Sequence, residues 1–130
     1  MKNWIVCFVL SMPLLVSAQN FERFQYNTEG KIIAMYSGTD QNNFDFVKYY
    51  ENGKKMTEGS YLDGKKHGVW KTWNEEGKLT AKAHYKHGEK TGKWMIVDQS
   101  DKNVFHISFE NNQVKEASKS KEVGKVLVKK

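Results

Sequence analysis

From Leu79 to Tyr85 the chain alternates, with Leu79, Ala81, Ala83 and Tyr85 set against Thr80, Lys82 and His84. A period of two is the pattern of a half-buried strand. Phe105, Ile107 and Phe109 alternate in the same way with Val104, His106 and Ser108. Asn74-Glu75-Glu76-Gly77 precedes the first of these runs, and Asn first with Gly last is type I turn chemistry. Asn52-Gly53 is a hairpin signal. Val69–Trp73 and Leu79–Tyr85 are therefore predicted to pair. Asp63-Gly64-Lys65-Lys66-His67-Gly68, with two glycines four apart, predicts a sharp reversal into the preceding hairpin. Further strands are predicted near Phe21–Gln25, Lys31–Tyr36, Phe44–Tyr50, Lys55–Leu62, Lys93–Val97 and Val104–Phe109, with Ser37–Asn43 as a polar loop. Beyond residue 18, no stretch carries a long helical apolar pattern.

The turns recur. Tyr61, Gly64, Lys66, Gly68 and Trp70 return 24 positions later as Tyr85, Gly88, Lys90, Gly92 and Trp94. Stepping back by the same interval takes Trp70, Trp73, Gly77 and Lys78 to Phe46, Tyr49, Gly53 and Lys54. Stepping forward takes Tyr85 and Gly88 to Phe109 and Asn112, and Gly77-Lys78 to Asp101-Lys102. Asn and Asp are the residues that best replace Gly where φ is positive. Tyr26-Asn27-Thr28-Glu29-Gly30-Lys31 is an earlier echo with a one-residue slip. Hairpins in series predict an all-β fold, an elongated antiparallel meander in which each hairpin leans on its neighbours. The large rings recur once per unit and are expected to form a ladder along the sheet.

This spacing resembles the MORN repeat, and more closely its bacterial variant, which reads Gly-x-Tyr-x-x-Gly, three residues, Gly-x-Trp, then an aromatic and a Gly-Lys turn. The matching residues are Gly59, Tyr61, Gly64, Gly68, Trp70, Trp73, Gly77 and Lys78, followed by Tyr85, Gly88, Gly92 and Trp94. Ala83 stands where the second unit would have its first Gly, and Val97 replaces Trp73. The resemblance implies an elongated sheet of successive hairpins that acts as a scaffold or protein-binding surface, and in some members as a phospholipid-associating one. Many bacterial members carry a toxin–antitoxin label, which implies an antitoxin or immunity-type alternative.

The ends of the chain differ from its middle. Lys2, the apolar run Trp4–Val16 and the small residues Val16-Ser17-Ala18 have the layout of a cleavable secretory signal over residues 1–18. The expectation is an exported protein, periplasmic or extracellular. Its removal takes away Cys7, the sole cysteine, so the mature chain has no means of forming an internal disulfide. About 112 residues remain, enough for one domain, assigned to a repeat domain at 19–114 and a tail at 115–130. The net charge of +6 is concentrated in that tail, which carries Lys115, Lys119, Lys121, Lys125, Lys129 and Lys130 against Glu116 and Glu122. Its low apolar content before Val126 predicts disorder.

The candidate chemistry is that of a binding surface. Gly53, Gly64, Gly68, Gly77, Gly88 and Gly92 are expected as turn residues. Tyr61, Trp70, Trp73, Tyr85 and Trp94 form the candidate binding surface. Trp70 and Trp73, three apart, are expected on opposite faces, which leaves one of them partly exposed. Lys54, Lys78 and Lys102 each follow a turn and are expected as a basic row along one edge, either solvated charge against edge aggregation or a contact for anionic lipid, glycan or an acidic partner. Interspersed Glu51, Glu58, Glu75, Glu76 and Glu89 weaken any long-range field, which argues against nucleic acid. His67, His84, His87 and His106 form no metal-ligand motif. No nucleophile or paired carboxylates stand in a catalytic context. The sequence thus predicts no enzyme, metal or cofactor, and an exported binding or scaffold module facing a protein or envelope partner.

Overall fold

The computed structural model describes residues 19–121. The predicted signal segment lies outside them. The described residues form one sheet of ten strands: β1 (Phe21–Tyr26), β2 (Ile32–Asp40), β3 (Asn43–Tyr49), β4 (Lys55–Leu62), β5 (Lys65–Trp73), β6 (Leu79–Lys86), β7 (Glu89–Lys90), β8 (Gly92–Val97), β9 (Asn103–Glu110) and β10 (Gln113–Lys121). Neighbours in the chain are antiparallel neighbours in the sheet, and β7 and β8 lie successively along β6. This is the meander that the hairpin signals predict.

The hairpins are closed by two kinds of turn, one at each edge of the ribbon. At the first edge, the N–H groups of Gly30, Gly53 and Gly77 donate to the carbonyls of Asn27, Tyr50 and Asn74. All three glycines have positive φ, from 79 to 86°, the geometry of a type I turn followed by a bulge. Asn27 and Asn74 accept the turn's own N–H groups through Oδ1. The fourth turn of this edge is one residue longer. Lys102 donates its N–H to the Asp98 carbonyl and is itself left-handed at φ 56°. The repeat maps Gly77 onto Asp101, but the added residue moves the strained position to Lys102.

At the opposite edge, Asp63-Gly64, His87-Gly88 and Asn111-Asn112 are two-residue turns with both residues left-handed, the type I′ form that suits strand twist. These turns lean on one another. Gly64 donates to the Asn42 carbonyl at 2.9 Å, Gly88 to Lys66 at 2.8 Å and Asn112 to Lys90 at 3.0 Å. The same backbone bond therefore recurs at each step of the repeat.

Three expectations are corrected. Ser37–Asn43 is not a loop, because β2 runs to Asp40 and β3 begins at Asn43. Asp40 Oδ1 accepts the N–H groups of Asn42 and Asn43 and so closes a tight turn from polar residues. Gly68 and Gly92 are not turn residues. Gly68 lies inside β5 with φ 77°, where Gly68, Val69 and Trp70 together face the single residue Gly59. The third correction concerns the tail, which through Lys121 is strand β10, paired to β9 from Gln113↔Glu110 to Lys121↔Asn103. Its side chains are all exposed. What orders it is the open backbone edge of β9, which supplies hydrogen-bond partners whatever the side chains. Residues 122–130 lie outside the described part.

There is no second layer among the described residues. Ala34, Val47, Trp70, Ala83 and Val104 are the buried apolar residues, and no side chain is fully buried. Cohesion comes from the strand ladders, the linked turns and one continuous strip of aromatic rings.

Candidate binding face

Side chains alternate between the faces of each strand, so the strand register decides which residues share a face. Tyr36 pairs with Phe46, Phe46 with Gly59, Gly68 with Tyr85, Trp70 with Ala83, and Gly92 with Phe109. One face therefore collects Tyr36, Phe44, Phe46, Tyr61, Trp70, Tyr85, Trp94 and Phe109. Their rings touch in succession: Phe44–Tyr61 at 4.8 Å, Tyr61–Trp70 at 5.2 Å, Trp70–Tyr85 at 6.4 Å, Tyr85–Trp94 at 5.1 Å and Trp94–Phe109 at 4.9 Å between centroids. Such pairs each contribute ~0.5–1.5 kcal/mol beyond the area they bury.

Gly59 sets the depth of the strip. A Cβ there would fall within the Trp70 indole, 2.6 Å from Cγ and nearer still to Cδ2 and Cε2. With no Cβ, the indole lies on the Gly59 backbone, donates Nε1–H to the Ser60 carbonyl at 3.2 Å and is only 7% exposed. One unit on, Ala83 occupies the slot of Gly59. The Trp94 Nε1–H still donates to the His84 carbonyl at 3.1 Å, but its indole is half-buried.

Cations stand over the rings. Lys66 Nζ lies 4.3 Å from the Trp70 centroid and 5.2 Å from that of Tyr85. Lys90 Nζ repeats this at 5.3 Å from Trp94 and 5.2 Å from Phe109. Arg23 caps Tyr36 at 4.6 Å, and Lys119 caps Phe105 at 5.5 Å. By the same alternation, Lys48, opposite Ala34 and Thr57, shares this face. Asp40, at the end of β2, is a carboxylate that borders it, and Asp98 lies near enough to Lys119 to interact with it. Asn42 and Asn43 donate to that carboxyl, the Asn43 side chain most strongly, and hold its pKa below the usual value. Burial among the rings raises the Tyr85 phenol.

The opposite face is of mixed sign. It carries Glu22, Asp45, Glu58, Lys71, Lys82, Lys93 and Glu116 by register. Ser60 Oγ donates to Asp45, and Lys55 pairs with Glu58 at 2.7 Å. The hydrogen bond from Lys55 to Glu58 raises the lysine's pKa.

Of the predicted surface residues, Tyr61, Tyr85 and Trp94 share the aromatic face half-buried, whereas Trp70 is packing and offers little open surface. Trp73 lies on the other face, as its spacing from Trp70 predicts, with Lys55 Nζ 5.9 Å from its ring and its carbonyl accepting the Tyr50 hydroxyl at 2.8 Å. The predicted basic row lies in the turns of one edge of the sheet. Lys54 Nζ donates to the Glu76 carbonyl at 3.1 Å, Lys78 pairs with Glu76 at 3.8 Å, and Lys102 is the left-handed turn residue. The lysines that meet the rings are Lys66 and Lys90. Sequence reasoning registers their recurrence but gives them no role, although each stands four residues before a tryptophan. His67 and His87 do meet, with rings 4.9 Å apart. Among the described residues no three His, Cys, Asp or Glu converge on a metal-sized site.

A single open sheet of hairpins, linked turn to turn and lined by a periodic ring ladder, defines a β-hairpin repeat protein. Residues 45–63 and 66–87 match the family model described as the MORN repeat variant, so the chain carries two consecutive units of that type. No curated protein and no solved structure matches the chain.

Proposed function

We propose that the chain is an exported, non-catalytic binding or scaffold module that presents the aromatic face to a protein or envelope partner. MORN repeats are in general binding or scaffold elements, which supports the coarse reading. The observation that carries the finer one is the asymmetry of the sheet. One face has a continuous row of rings capped by cations, whereas the other carries charges of both signs with one capped ring, Trp73. Apolar surface rimmed by polar groups is the mark of an interaction site, and aromatic residues dominate binding energy at such sites. Export rests on the layout of residues 1–18. The test is photo-crosslinking in an exporting host, with a photoreactive residue placed at Lys90 on the aromatic face or at Lys82 on the opposite one. Adducts formed from Lys90 and not from Lys82 are expected. Equal adducts from both positions, or none from Lys90, would refute the assignment of the face.

A further inference from the structure

We infer that the partner of this face is an acidic polypeptide segment, an amphipathic helix laid across the strands with carboxylates about 10 Å apart. The inference rests on the binding-module reading above and names the partner's chemistry.

Three observations lead to it. The first is sign. In its strands the face carries Arg23, Lys48, Lys66, Lys90 and Lys119, while the carboxylates at its border, Asp40 and Asp98, are held by hydrogen bonds within their own turns. A second copy of the same face would bring cations against cations, so charge complementarity asks for an acidic partner. The second observation is the state of the rings. Flat binders such as sugars and bases need open ring faces to stack on. Here Lys66 stands over Trp70 and Tyr85, Lys90 stands over Trp94 and Phe109, and neighbouring rings meet edge to face at 87 and 81° around Trp70. What an arriving ligand meets is an ammonium flanked by ring edges. A carboxylate beside an apolar side chain satisfies both.

The third observation is spacing. Lys66 on β5 and Lys90 on β7 are separated by β6 alone. Two strand separations are about 9.6 Å, and the register sets Lys66 two residues beyond Tyr85 while Lys90 faces it, which lengthens the separation to roughly 10–12 Å. On an α-helix, residues seven apart lie on one face about 10.5 Å apart. On an extended strand the nearest match is three residues, which point to opposite faces. The helix therefore meets both lysines from one side, with its intervening apolar residues directed at Tyr85 and Trp94.

The test uses the processed chain and a synthetic 21-residue Leu/Glu amphipathic helix with glutamates seven apart. Its Glu→Gln counterpart, heparin and phosphatidylglycerol vesicles serve as comparisons. Lys66→Met/Lys90→Met removes both charges and keeps the alkyl cover over the rings, and Lys71→Met/Lys82→Met is the opposite-face control. Saturable binding of the acidic helix is expected, weakened by salt. The Gln peptide and the Lys66/Lys90 variant should each lose about tenfold or more in affinity, and the control variant should lose little. Lys66→Glu/Lys90→Glu should in turn capture the Glu→Lys peptide, a gain of binding that a merely unfolded variant would not show. Tighter binding of vesicles or heparin through the same two lysines would overturn the partner's identity while leaving the face intact. Equal binding of the Glu and Gln peptides, or loss in both double Met variants alike, would overturn the inference. Failure of every probe, together with no adducts from Lys90, would remove the binding-face reading as well.

Discussion

Gly59→Ala tests the packing on which the face is built. The added methyl would lie inside the Trp70 indole, so the ring has to lift. Lifting weakens its contacts with Phe46, Tyr61 and Tyr85, now at 6.3, 5.2 and 6.4 Å, each worth ~0.5–1.5 kcal/mol. Overpacking of this kind costs ~1–3 kcal/mol. The next unit sets the limit on the damage. Trp94 sits beside Ala83, stays half-buried and keeps its hydrogen bond to the His84 carbonyl. The variant should therefore fold, with Trp70 in the posture of Trp94 and a loss near 2 kcal/mol. For a domain of about 100 residues that is ~8–16 °C in melting temperature. Urea titration measures the loss. Emission in a Trp4→Phe/Trp73→Phe/Trp94→Phe background reports Trp70 alone, and should shift to the red as the indole becomes more exposed. A midpoint within ~0.5 kcal/mol of the parent, with unshifted emission, would show that the Gly59–Trp70 contact does not set the depth of the ring strip.

Tyr50→Phe removes the hydroxyl that bonds the Trp73 carbonyl across the hairpin edge, and should lower stability by ~0.5–1.5 kcal/mol in urea titration. Lys102→Gly relieves a left-handed residue at φ 56°, so its melting temperature should rise, by roughly 1 kcal/mol in stability. His67 Nδ1 accepts the His87 N–H at 3.2 Å in the slot where, one unit earlier, Asn43 Oδ1 accepts the Asp63 N–H at 2.9 Å. His67→Asn should therefore hold its urea midpoint, whereas His67→Ala loses ~0.5–1.5 kcal/mol; equal losses would refute the equivalence. Hydrogen bonds from Asn43 and Asn42 depress the Asp40 carboxyl, and those from Ser100 depress Asp98. A depressed folded-state pKa contributes stability that is complete above the unfolded value, ~3.9, and is lost as pH falls through the folded one. The contribution of these two carboxylates should thus be constant above about pH 5 and lost below about pH 4, so the fall in melting temperature below about pH 4 should be less steep in Asp40→Asn/Asp98→Asn.

Most of the sheet is legible in the sequence because its two determinants are local. Alternation marks the strands, as at Leu79–Tyr85, and Gly, Asn and Asp mark the left-handed turns. The misreadings occur where one residue changes the geometry. Gly68 and Gly64 look alike in sequence, yet one bulges a strand opposite Gly59 and the other closes a turn. Ser37–Asn43 is polar like a loop, but Asp40 turns that polarity into a two-residue connection. β10 is invisible to a hydrophobic pattern because none of its residues is buried. At the face, the ring ladder follows from the period. The cations over it do not, since Lys66 and Lys90 read as surface lysines until the register sets them beside Trp70 and Trp94.

The bond from each two-residue turn back to the preceding repeat has one more consequence. Gly64, Gly88 and Asn112 each reach back 22 residues to the same kind of carbonyl, so every hairpin is fastened to its predecessor by identical hardware. Such an array is indexed by count rather than by closure. Duplicating residues 64–87 would lengthen the ribbon by one hairpin, about 9.6 Å, without asking any existing residue to change its neighbours. Evolution, or an engineer, can set the reach of the face by copying a segment.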